Sequence, residues 1–148
     1  HRLTGDWGPE VAALTRALEA LGPDWRESPG GAPASQLALA FLSLTGLHHD
    51  PEAIIAASLG QGKATRASPF MHHHVFAALM RLGRPQDIRR IIAHLWGPWG
   101  DLATTPENWD ISFPDGSAAH GFSAHPLYWL KVTTPEDGQP RSSDQARS

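Results

Sequence analysis

The chain has 148 residues, 41% hydrophobic and 18% charged, which is enough apolar material for one packed domain and too much for a disordered chain. Lys and Arg number 12 against 15 Asp and Glu, a formal charge of −3 that argues against a nucleic-acid or anionic-membrane partner, although the 9 histidines would reverse the sign below about pH 6. The absence of cysteine excludes a disulfide framework and any thiolate metal site, and no apolar run approaches the roughly 20 residues of a membrane helix.

The predicted elements are short helices separated by Gly and Pro. Pro9 suits an opening turn, and Val11, Leu14, Leu18 and Leu21 follow at helical spacing until Gly22. Residues 23–33, with Trp25 and the Gly30-Gly31 pair, read as a loop. Residues 35–44, SQLALAFLSL, are apolar almost all round, the pattern of a helix buried on every side. Asp50-Pro51-Glu52 combines a capping carboxylate, a first-turn proline and a first-turn acid, and opens a helix that closes at Gly60. Ser68-Pro69 repeats that signal ahead of a helix ending at Gly83. Arg84 alone then separates Gly83 from Pro85, where a second helix begins and runs to Gly97. Two helices joined by so short a break form an α-hairpin.

Between Pro98 and Gly121 no period is found, and turn residues dominate. A structureless stretch of more than about 20 residues inside a helical domain is usually functional or disordered. This one carries Trp99, Trp109, Phe113 and His120, with Phe122 just beyond, too much aromatic surface to leave in water, so it is expected to pack over a site. A last helix is expected over residues 123–132, and residues 133–148 read as a polar tail or linker. No segment alternates with strand period, so the class is all-α.

Several groups in this frame could carry chemistry. Glu107, in ATTPENWD, is a loop carboxylate beside an indole, as glycoside hydrolysis needs for activating water or donating a proton. Trp96, Trp99 and Trp109 could stack on sugar faces. A solvated loop acid and core tryptophans explain the same residues. His120 and His125 bracket Ser123, and a neutral imidazole can donate to a sugar hydroxyl or orient a carboxylate. Ser123 lacks the Gly-x-Ser-x-Gly elbow of an exposed nucleophile, so a helix cap with a packed histidine is the competing reading. His72-His73-His74 cannot converge on one ion, because adjacent helical residues point about 100° apart. His48-His49-Asp50 has the same defect, and no metal or cofactor is expected. GQGKAT at residues 60–65 lacks the strand and the GK[ST] ending of a phosphate loop.

The run SPFMHHHVFAALMRLGRPQDIRRIIAHLWGPWGDLATTPENWD, followed by DGSAAHGFSAHPLYWL, resembles the C-terminal half of the catalytic domain of bacterial α-L-rhamnosidases and related six-hairpin glycosidases. The shared features are a Ser-Pro helix start, a Leu/Ala-rich helix, a Gly-Arg turn, a helix ending in Trp-Gly, a Thr-Thr element with glutamate and tryptophan, and a final His-Gly element. SQLALAFLSLTGL resembles the preceding helix, so the likeness spans residues 33–130. Pro106 stands where that family often has an aromatic residue, and the tryptophan comes two residues after the glutamate.

The resemblance implies helical hairpins forming part of an (α/α)6 toroid, with residues 1–132 a partial catalytic domain. It implies an inverting mechanism with Glu107 as general base, and Trp109, His120 and Trp99 lining the pocket of a carbohydrate substrate. The general acid would belong to earlier hairpins. Together with His1 in place of a methionine, this leads to the expectation that the chain is a fragment whose partner is the missing half of the domain and which is inactive alone. Rival readings are another toroid-fold enzyme, such as a uronate hydrolase or polysaccharide lyase, and a non-catalytic helical interaction domain.

Overall fold

The structure is a computed structural model and describes residues 8–20, 35–47, 49–112 and 116–134. The expectations for the loop at 23–33, for His48 and Phe113, and for the tail beyond Thr134 lie outside the described residues. So do Leu21 and Gly22, as does the side chain of Leu18. Within the described residues the protein is helical and has no strand; a single parallel bridge joins Ser35 to Thr65. No helix is long and apolar enough to cross a membrane among those residues.

The first helix, α1, spans Gly8–Ala20 and leaves Val11 and Leu14 exposed. The second, α2, spans Gln36–Thr45. Ser35 caps it by accepting the Ala38 N–H at 3.1 Å. Its end is set by Gly46 at φ 83°, where the Gly46 and Leu47 N–H groups return to the Ser43 and Leu42 carbonyls at 3.3 and 3.0 Å. Only glycine adopts that left-handed conformation without strain. Asp50 caps α3, Pro51–Ser58, by accepting the Ala53 N–H at 2.9 Å, as the Asp-Pro-Glu signal requires.

The Ser68-Pro69 signal acts differently from that of Asp50-Pro51. Residues 68–71 form a turn, with the Ser68 hydroxyl accepting from Met71 N–H at 3.4 Å, and the next helix, α4, begins at His72 and ends at Arg81. Arg84 then bridges helices, pairing with Glu52 of α3 and with Asp87 of the next helix, α5, Pro85–Leu95. After a 3-10 turn at Gly97–Trp99 there is no helix among the described residues through His120. A second 3-10 turn, Gly121–Ala124, leads into α6, Pro126–Thr133. The expected last helix therefore starts three residues late, at the proline, which is preset for a first helical turn.

The core forms where α2 packs on α4 and α3, α4 on α5, and α5 on α6. Ile88, Ile91, Ile92 and Leu95 repeat at helical spacing and are all buried, and they meet Val75, Phe76 and Leu79 of α4 and Ile54 of α3. Burying each such side chain contributes about 1.5–3 kcal/mol. The expectation that residues 35–44 are buried on every side is not met. Gln36, Leu39, Ala40 and Ser43 are buried, Leu37 and Leu44 are half-buried, and Phe41 is 44% exposed, because the described helices cover one side of α2 only.

Candidate functional site: a strap of three carbonyls and the segment it holds

The approach to α4 is a strap, residues 64–69, that crosses the helix ends. Gln36 fixes one side of it. Its backbone N–H donates to the Thr65 carbonyl at 2.9 Å, and its Oε1 accepts from Ala67 N–H at 2.9 Å. The Gln36 amide also donates to Ile54 O at 2.7 Å and to the Ser58 hydroxyl at 2.5 Å, so this buried polar side chain is fully engaged.

On the other side, three consecutive carbonyls of the strap each take an N–H from an aromatic ring. Trp109 Nε1 donates to Ala67 O at 2.7 Å, His72 Nδ1 to Ser68 O at 3.0 Å, and His125 Nε2 to Pro69 O at 2.9 Å. A carbonyl can only accept, so these distances fix both tautomers. His72 Nε2 is then an acceptor facing the Ser58 hydroxyl at 3.3 Å, while His125 Nδ1 is buried with no hydrogen-bond partner among the described residues.

The rings pack on one another as well as on the strap. Trp109 stacks on Trp99, with centroids 5.3 Å apart and planes at 27°, and meets Trp96 edge-on at 4.8 Å and His72 edge-on at 5.1 Å. Trp96 donates its Nε1–H to Ser123 O at 2.9 Å, and Trp129 donates to His73 Nδ1 at 3.3 Å. Burial pushes the pKa of His72 down to about 4, with His125 and Arg66 adding repulsion against the pull of the Ser68 bond. Burial also pushes His125 down to about 4, opposed by its Pro69 bond and assisted by His73 and His74. Burial and the neighbouring His74 lower His73.

Residues 105–107 pair with residues 117–120. His120 N–H donates to Thr105 O at 2.8 Å, and Glu107 N–H donates to Ser117 O at 2.9 Å. Thr105 Oγ1 returns to His120 O at 2.9 Å, and Ser117 N–H donates to Glu107 Oε2 at 2.9 Å. Beside this pairing lies a cavity of about 240 Å3 lined by Leu102, Pro106, Asn108, Asp110, Ile111 and Ser117, with smaller residues between. Hydrogen bonds from the hydroxyl and then the backbone N–H of Ser112 hold Asp110 below its ordinary carboxylate pKa.

These contacts place the four sequence-derived site residues in three settings. Glu107 is flanked by two cavity-lining residues and bonded to a third. Trp99 and Trp109 are brought together, half-buried, with the Trp109 N–H committed to the strap. His120 sits apart from them, against Phe70 and Phe122, with its Nδ1 3.3 Å from the Ser123 hydroxyl. Ser123 is fully buried in a 3-10 turn, which fits packing and not an exposed nucleophile. The three adjacent histidines diverge: His72 is buried, His73 exposed and His74 half-buried. No group of three or more metal-ligating side chains comes together among the described residues.

Sequence reasoning missed Gln36, Ser58 and the strap. The one available signal was a glutamine opening an otherwise apolar helix. The sequence matches no family model, and comparison with curated proteins and with solved structures gives no match.

Proposed function

We propose that this chain is the C-terminal part of the catalytic domain of an inverting glycoside hydrolase of the α-L-rhamnosidase type, its hairpins forming part of an (α/α)6 toroid. Glu107 is the general base, and Trp109, Trp99 and His120 contribute to the sugar pocket. The observation that carries this reading is the setting of Glu107. Its backbone N–H and its Oε2 are both tied to Ser117, while Oε1 has no partner among the described residues. A base that activates water needs this combination of a fixed carboxylate and an unoccupied oxygen.

The cavity beside it supports a neutral sugar over a uronate. It is smaller than the roughly 300–1,000 Å3 of drug-sized sites, and none of its described lining residues is Lys, Arg or His. A uronate hydrolase or lyase needs a cation to neutralise the substrate carboxylate. The exposed apolar side chains Phe41, Leu127 and Tyr128 suit helices that meet further hairpins. That same exposure favours a second reading, a non-catalytic helical interaction domain.

The test is hydrolysis of an aryl α-L-rhamnoside by a polypeptide that also carries the remaining hairpins. Glu107→Gln is expected to lower kcat by roughly 10²–10⁴-fold, and the wild-type product is expected to emerge with inverted anomeric configuration. Full activity in the variant would remove Glu107 as base.

A further inference from the structure

The strap is held by two neutral imidazoles in surroundings that offer a proton nowhere to go. His72 is the first residue of α4, where the positive end of the helix dipole opposes a cation. Its ring meets Phe76, Trp96 and Trp109 edge-on, and the charged groups acting on it are His125 and Arg66, both basic. His125 packs on Phe76 of α4, on Trp96 after α5, and on His73, with His73 and His74 the charged groups acting on it. No carboxylate is among these partners. A proton on His125 Nδ1 would create a buried N–H with no acceptor, and a proton on His72 Nε2 would turn an acceptor for Ser58 into a donor.

We propose that the His72–His125 pair is an acid-operated latch: protonation of both rings releases the segment from Gly100 to Ala124 from the helices while α2 to α5 stay folded. The release is local because of where the titrating groups lie. Trp109 reaches the strap from that segment and His125 from the residue following it, and His72 is one of the rings against which Trp109 packs. Apart from the single His72–Ser58 bond, α3, α4 and α5 are held together by the apolar contacts of Ile54, Val75, Leu79, Ile88 and Ile91, which contain no titratable group. Since Glu107 and the cavity lie on the released segment, acid would dismantle them before the helices melt.

The test follows tryptophan emission and far-UV circular dichroism together as pH falls from 7 to 3.5. The expected result is a red shift between pH 6.5 and 4, with a steepness of about two protons and helicity at 222 nm retained. His125→Gln keeps a donor for Pro69 O but cannot titrate there, and His72→Asn does the same for Ser68 O. Each variant should reduce the steepness to about one proton and move the midpoint to lower pH, and the double variant should lose the transition. Loss of helicity in step with emission in the wild type would overturn the latch. So would an unchanged transition in His125→Gln, which decides the matter alone should His72→Asn fail to fold at pH 7.

Discussion

Trp109 and Ala67 are 42 residues apart in sequence, yet the indole N–H of the first donates to the carbonyl oxygen of the second at 2.7 Å. That bond joins the segment bearing Glu107 to the strap, and the strap to Gln36 through the N–H of the same alanine. Trp109→Phe keeps most of the ring packing but leaves the Ala67 carbonyl without its donor. The expected loss is about 1–3 kcal/mol in urea unfolding, with the His125–Pro69 bond and the ring packing on His72 and Trp96 still in place.

Gln36 engages Ile54 O, the Ser58 hydroxyl and Ala67 N–H from a fully buried position. Gln36→Leu matches its size and strands the buried Ala67 N–H, while Ile54 O and the Ser58 hydroxyl keep each other and His72 as partners. A loss of about 1–3 kcal/mol is expected, read as a lower urea midpoint.

Stability should fall with acid well before carboxylates titrate. His72 and His125 have native pKa values near 4 against an unfolded value near 6.5, so between those limits the unfolded chain binds more protons than the native one. The contribution is fully present above pH 6.5 and is lost as pH drops, down to the pH at which the segment releases. For His72 the slope is at most about 1.4 kcal/mol per pH unit. Urea midpoints measured from pH 7 to 5 should decline in the wild type and decline less steeply in His72→Asn, where His125 alone of the pair still titrates.

Glu107→Gln should leave stability within about 0.5 kcal/mol of wild type, because the amide oxygen still accepts the Ser117 N–H. Glu107→Ala removes that acceptor and should cost about 1 kcal/mol. Thermal unfolding of the two variants side by side separates the positioning of the loop from any chemistry at the carboxylate.

The helices were legible where local chemistry decides them. Asp50-Pro51, Gly60 and Gly83 act through bonds within four or five residues, and the period of α5 appears directly in Ile88, Ile91, Ile92 and Leu95. The exposed side of α2 was not legible, because an apolar stripe does not say how many neighbours it meets. Nor was the strap. Ala67, Ser68 and Pro69 contribute backbone carbonyls, which every sequence offers, and their partners lie 42, 4 and 56 residues away. Glu107 was legible as a loop acid, but its hold on Ser117 was not, since it depends on the pairing of residues 105–107 with residues 117–120.

The most direct test of the proposed sugar site is a titration, in a polypeptide that also carries the remaining hairpins, with L-rhamnose and with D-galacturonate, read from the backbone amide resonances of Glu107 and Ser117 and the indole resonances of Trp99 and Trp109. Saturable shifts with the neutral sugar and none with the uronate are expected. Unmoved resonances with L-rhamnose, or equal shifts with both sugars, would contradict a neutral-sugar site built around Glu107.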